Sequence, residues 1–339
     1  MFNKDVITLA ETIMDEEGFR ISYDEACGLA ALPESETLDL LLCANRIRQK
    51  FKQNRVVTCS ITNAKSGFCS EDCAFCAQSS YHETGIEAHP LLSEERLLGD
   101  AVRLYENGAT EFSMVTSGYA LTDEEMVRIG RAAGLIKEKT GLMICSSLGV
   151  LTEARAKQLK ESGLTAYHHN LETARSFFDH VCTTHDYEDD VQTVRVAKAA
   201  GLKVCSGGIL GLGETWEQRV ELAITLRDLD ADSLPINFLN PIAGTRMEAR
   251  PLLSPLEALK SIALFRFINP RKDITVCGGR EVTLRDLQSW IFAAGANGLL
   301  IGNYLTTEGR DCAADMAMIK DLGMVAEKNP PPLFSKGGI

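Results

Sequence analysis

Three cysteines, Cys69, Cys73 and Cys76, stand in the pattern CxxxCxxC within the stretch Gly67–Ser80. Loops this short let three sulfurs converge on one face of a metal centre without threading the chain, and the motif supplies no fourth ligand. Structural zinc and ordinary electron-transfer clusters close their shell with four protein ligands. Three thiolates on a four-iron cluster instead leave one iron open to a small molecule. A zinc knuckle, or a group of buried thiols, is the plainer alternative.

The elements that must position these sulfurs follow from the hydrophobic pattern. Residues 1–52 read as a helical extension of three helices. From Arg55 onward, short β-branched runs alternate with longer stretches of helical period, the signature of βα units and a parallel sheet. Eight strands are predicted, at Val56–Thr62, Glu111–Thr116, Leu142–Leu148, Ala166–Leu171, Lys203–Ile209, Ser233–Phe238, Ile274–Cys277 and Gly298–Ile301. Helices are predicted at Ser93–Asn107, Thr122–Thr140, Thr152–Ser162, Tyr187–Ala200, Thr215–Leu229, Ser254–Asn269, Leu284–Ala294 and Asp311–Asp321. The expected fold is α/β, a (βα)8 TIM-type barrel over residues 53–322 with a tail at 323–339; an open doubly wound sheet is the alternative. Active sites of such barrels lie at the carboxyl ends of the strands, where the loop carrying Cys69, Cys73 and Cys76 begins.

Cys59, Cys145, Cys205 and Cys277 fall on the first, third, fifth and seventh strands. Interior barrel layers are built from alternate strands, so these four could form a ring of thiolates around a second metal centre, or be four ordinary core cysteines. Cys27, Cys43, Cys182 and Cys312 read as structural. His168 and His169 are adjacent on a strand, point to opposite faces and cannot chelate together. Gly207, Gly208, Gly211 and Gly213 lack the order of a phosphate loop and read as room for a cofactor.

The 339 residues carry 45% hydrophobic and 24% charged positions, as soluble globular enzymes do. A formal charge of -12 disfavours nucleic acid as a partner. Acids among the apolar positions of Met1–Glu17 argue against a signal peptide, and no run has the length of a membrane span. With 11 cysteines and no export signal, a reducing cytoplasm is expected, with thiols kept for metal or catalysis.

Over roughly Arg55–Thr307 the chain resembles the biotin synthase family of radical S-adenosylmethionine enzymes. The resemblance is carried by Lys65–Cys73 with Gln78-Ser79-Ser80, Tyr167–Thr173, Val204–Ile209 leading to Gly211–Thr215, Pro235-Ile236-Asn237, Gly279-Arg280-Glu281 and Ala294–Asn297, and by Phe75 before the last motif cysteine. It implies a 4Fe-4S cluster on Cys69, Cys73 and Cys76, with S-adenosylmethionine on the open iron. It also implies a homodimer, a low-potential electron donor such as flavodoxin or ferredoxin, and conversion of dethiobiotin to biotin with an auxiliary iron-sulfur cluster as sulfur donor. Phe75, Asn170 and Glu172 map to cofactor contacts, and Lys65, Asn170, Asn237, Thr306 and Thr307 to substrate contacts.

Departures from the family pattern are informative. The pattern's auxiliary 2Fe-2S site uses three cysteines and an arginine; Cys145 and Cys205 match two of them, but Ser113 and Thr275 replace the others. Cys59 and Cys277 stand where serine is usual, so a site of Cys59, Cys145, Cys205 and Cys277 is expected, favouring a four-iron cluster. The arginine that meets the cofactor carboxylate aligns with Asp190, leaving His185 or Arg195 for that task. A hydrogenase-maturase-like radical enzyme and a non-catalytic iron-sulfur carrier are the rival readings.

Overall fold

A computed structural model describes residues 3–327. Parallel strands β1 (Arg55–Lys65), β2 (Glu111–Thr116), β3 (Met143–Ser147), β4 (Ala166–His168), β5 (Lys203–Cys205) continued by β6 (Gly208–Leu210), β7 (Ser233–Phe238), β8 (Asp273–Val276) and β9 (Gly298–Leu300) form eight staves. β9 pairs back onto β1 and closes the barrel. The expected barrel is borne out, and the alternative of an open sheet is excluded. Alternation along each strand sorts the residues: in β2, Phe112 and Met114 are fully buried in the apolar layer under the helices, while Glu111 and Ser113 take the other face.

The helices are α1 (Lys4–Asp15), α2 (Tyr23–Ala30), α3 (Thr37–Lys52), α4 (Glu94–Glu106), α5 (Asp123–Lys139), α6 (Glu153–Glu161), α7 (Tyr187–Ala199), α8 (Trp216–Asp228), α9 (Pro255–Ile268), α10 (Arg280–Leu284), α11 (Trp290–Ala293) and α12 (Cys312–Asp321). Ser93, Thr122, Thr152, Thr215 and Ser254 each accept a backbone N–H of the first turn of the helix they precede. These caps satisfy donors that the helix itself leaves orphaned and so fix the starts. Helix α9 is buried all round from Ala258 to Ile268, because α3 and α2 cover the side turned away from the barrel.

Three local differences have physical causes. The predicted helix Leu284–Ala294 is broken into α10, a 3-10 turn at Arg285–Leu287 and α11. Arg285 has φ 50°, and Gln288 is drawn back to accept from Arg280 Nη1 at 2.6 Å. Val325–Ala326 of the expected tail form β10, which pairs with Arg55–Val56; residues 328–339 of that tail lie outside the described ones. The fifth stave is interrupted at Ser206-Gly207, where Asn170 Oδ1 accepts from Gly207 N at 3.2 Å.

Gly207 is required by close approach: a Cβ there would stand 1.9 Å from the Pro235 carbonyl oxygen. Gly207→Ala is expected to destabilise the barrel by about 1–3 kcal/mol, the usual range for overpacking, read as a lower urea midpoint with an unchanged slope.

Candidate metal and cofactor site

A cavity of about 270 Å³ occupies the barrel interior and opens at the carboxyl ends of the staves. Cys59, Glu111, Cys205 and Cys277 line its deeper part, His168, Asn170 and Glu172 its middle, and Phe75, Cys76, Gln78, Thr306 and Thr307 its mouth. The exposure that Cys59 and Cys205 retain is toward this cavity. Cys145 is not on the cavity wall, but it pairs with Ser113 across β2 and β3, and its charge is felt at both Cys59 and Cys205.

Desolvation dominates the chemistry of these thiols. It pushes Cys145 and Cys277 up to about 12, and holds Cys59 and Cys205 well above the usual thiol range. Glu111 sits among them and acts electrostatically on all four. Burial, and then Asp273, raise its carboxyl to about 7. The sequence reading missed Glu111; the signal was a charged residue two positions before Ser113, on the same face of a strand.

The motif loop is held by its own backbone. Cys69 N donates to Gln78 O at 3.1 Å, Ser80 N to Cys69 O at 2.9 Å, and Cys76 N to Cys73 O at 2.9 Å. Among the described residues, one trio of His, Cys, Asp or Glu donors gathers within 4.8 Å, and it is Glu71, Cys182 and His185. The motif sulfurs are therefore spread more widely than a single zinc requires, since thiolates about 2.3 Å from the ion stand about 3.8 Å apart.

A second segment grips the loop from outside. Thr183 donates to Asp72 through its N–H at 2.8 Å and its hydroxyl at 2.7 Å; Thr184 Oγ1 and His185 Nδ1 reach Glu71 Oε2 at 2.6 and 2.7 Å. Burial opposes a charge on His185, but its bonds to Asp190, Cys182 and Glu71 raise it to about 11. Cys182, and then burial, push Cys73 far up, while Cys73, against burial and with His185 and Thr184, draws Cys182 down to about 4.

The other expected contacts divide. Phe75, Asn170, Glu172, Asn237, Thr306 and Thr307 all line the cavity. Glu172 holds a left-handed φ of 58°, and burial together with Asp190 raises its carboxyl to about 8. Asn237 already serves the backbone, accepting from Gly278 N at 2.9 Å and donating to Gly208 O at 3.3 Å. Lys65 is not brought to the cavity: Glu125 on α5 captures its ammonium at 2.7 Å. Nor is Arg195, which pairs with Glu188 at 2.9 Å, or His185, which lies between Glu71 and Asp190. His168 faces the cavity while His169 Nε2 meets Asp190 at 2.8 Å on the opposite side, as alternation demands.

Residues 64–226 match the Radical SAM superfamily, and residues 235–325 match the Biotin and Thiamin Synthesis associated domain. The chain is 57% identical over 312 residues to a biotin synthase of Syntrophus aciditrophicus, spanning 92% of this chain and 96% of that protein. The chain belongs to the biotin synthase family. A biotin synthase of Geobacter metallireducens is 54% identical over 321 residues, spanning 94% and 97%. Among solved structures, a methylornithine synthase superposes with TM-score 0.82 at 20% identity over 95% of this chain and 98% of that one. A maturase of the FeFe-hydrogenase superposes with TM-score 0.81 at 17% identity over 96% and 76%. The likeness to the maturase is therefore one of fold alone. The donors fit the iron-sulfur clusters that the family implies: all 11 cysteines are free, three in the rim loop and four around the deep cavity. Among the described residues, no Lys or Arg lines that cavity to balance its thiols and carboxyls.

Glu172 gives a pH signature in the ligand-free fold. Its folded-state carboxyl, near 8, lies above the 4.5 of an unperturbed Glu. The folded state therefore holds a proton that the unfolded chain has lost, and this group's contribution to stability falls as pH rises from 4.5 toward 8. Glu172→Gln is expected to flatten that decline, by up to about 1.4 kcal/mol per pH unit. Urea midpoints from pH 5 to about 9 read the difference.

Proposed function

We propose that the chain is a biotin synthase that converts dethiobiotin to biotin. In this reading Cys69, Cys73 and Cys76 hold a 4Fe-4S cluster, and Cys59, Cys145, Cys205 and Cys277 hold an auxiliary cluster of four-iron rather than 2Fe-2S type. The observation that carries the reading is that free thiols line both ends of a single barrel cavity, Cys76 of the motif loop at the mouth and Cys59, Cys205 and Cys277 in the depth. When bound, the clusters and S-adenosylmethionine supply the electron, the hydrogen-abstracting radical and the sulfur.

The chain's own residues bind, orient and exclude water. Glu172 and Asn170 present a carboxyl and an amide at mid-cavity, where a ribose diol needs acceptors. Thr306 and Thr307 offer hydroxyls at the mouth, suited to a carboxylate. Ile61, Val115, Ile209 and Leu300 give apolar wall for an aliphatic chain between the two ends. Asn237 faces the same space, but to meet a ureido ring it must share an amide already engaged by Gly208 and Gly278. The closed wall keeps reacting groups aligned and solvent out.

The same reading brings a flavodoxin- or ferredoxin-type electron donor, a homodimer and a cytoplasmic setting. No helix among the described residues is long and apolar enough to cross a membrane.

Anaerobically reconstituted protein with dethiobiotin, S-adenosylmethionine and dithionite is expected to yield biotin. Cys69→Ala should lose cofactor cleavage. Cys59→Ala or Cys277→Ala should retain cleavage, lose biotin formation and fall in iron and sulfide content, with matching Mössbauer changes. A 2Fe-2S spectrum untouched by either substitution would overturn the four-cysteine site.

A further inference from the structure

The chain from Ile301 to Asp311, between β9 and α12, has no regular structure, yet it carries Thr306 and Thr307. Within it, Tyr304, Leu305, Thr306 and Thr307 line the barrel cavity and also a second pocket of about 350 Å³, which Asn63 and His89 share. These four residues are therefore a partition between two spaces. A segment with room on both sides takes its position from its anchors more than from packing.

Three hydrogen bonds anchor it. Tyr304 N donates to Thr307 O at 3.0 Å and closes a turn, and Asn63 Nδ2 on β1 donates to Leu305 O at 3.0 Å. The third bond ties the partition to α10: the Tyr304 hydroxyl stands 2.9 Å from both carboxylate oxygens of Glu281. That hydroxyl also lies 3.2 Å from Cys277 O, but it has one proton, and the nearer carboxylate is the stronger acceptor. Glu281 is itself held in place. It accepts from Arg310 N at 3.2 Å, and its Oε1 lies 3.5 Å from Nε of Arg280, whose fully buried guanidinium also grips Gln288 and Asp315.

We propose that Tyr304 is a positioning residue for the carboxylate end of the substrate: its hydroxyl, latched to Glu281, sets the partition that presents Thr306 and Thr307 to the cavity. The proposal rests on the reading of these threonines as contacts for the carboxylate of dethiobiotin. Among the described residues, no Lys or Arg lines the cavity, so a carboxylate there depends on neutral donors. Neutral hydrogen bonds weaken steeply when misaligned, and the latch keeps them in line. Phenylalanine at 304 keeps the ring and removes only the latch.

The test is equilibrium binding to reconstituted protein loaded with S-adenosylmethionine and left unreduced, so that nothing turns over. Two probes are compared, dethiobiotin and its alcohol analogue, in which CH2OH replaces the carboxylate. Wild type is expected to favour the acid by about tenfold or more, and Tyr304→Phe to weaken the acid about tenfold while leaving the alcohol within about twofold. Glu281→Leu removes the same bond from its other end and should show the same selective loss. Equal weakening of both probes, or unchanged binding of the acid, overturns the role of Tyr304. A wild type that binds the two probes equally overturns the carboxylate role of Thr306 and Thr307, and the proposal with it; one that binds neither overturns the biotin synthase reading itself. If Tyr304→Phe assembles no cluster, Glu281→Leu decides by the same comparison: a loss confined to the acid supports the latch, and an equal loss or none overturns it.

Discussion

A closed barrel that turns Cys59, Cys145, Cys205, Cys277 and Glu111 toward one another cannot leave them charged without compensation. Desolvation comes first among the causes that raise every one of them, and repulsion from Glu111 adds to it at all four thiols. Among the described residues, no Lys or Arg lines the shared cavity. Two settlements remain: the groups keep their protons, or iron takes the protons' place at the same sulfurs. The fold tolerates this because alternation separates the tasks. Ile274 and Val276 of β8 pack fully buried under the helices, while Thr275 and Cys277 line the cavity.

The rim obeys a different rule. There the acids of the motif, Glu71 and Asp72, do not face the cavity but anchor the loop to Thr183, Thr184 and His185. Burial raises Asp72, but the bonds from Thr183, with Cys182 and the charge of Arg246, hold it near 2. The result is a loop whose three sulfurs are set by two sources, its own backbone turns and a segment more than a hundred residues away in sequence.

Strand and helix starts were legible because their signals are local. The five Ser and Thr caps at 93, 122, 152, 215 and 254 sit at the predicted helix starts. The cysteines' facing was legible too, since a period of two fixes which side chains share a wall. What failed depended on partners distant in the chain. Lys65 reads as a cationic residue beside the motif, yet nothing local shows that Glu125 on α5 captures it. The break at Arg285 follows from a bond between Arg280 and Gln288, not from a weak helical pattern.

The departures from the family pattern make sense together as a change in how charge is compensated. The pattern's arginine position is Thr275, and Cys277 lies two residues on along the same stave, about 6.6 Å nearer the mouth. Ser113, in the other vacated ligand position, lies beside Cys145 in the strand register and supplies no thiol. An all-thiolate shell has no arginine among its ligands. It retains one at a distance: after desolvation, the largest effect on Cys277 is the field of Arg280, which lowers it. Arg280 is fully buried and fixed by Asp315 at 2.5 Å behind the wall. In the proposed site the ligand shell itself carries no positive charge, and the buried pair of Arg280, in a stretch shared with the family, acts on Cys277 from outside it. It biases one corner of the shell without occupying a place in it.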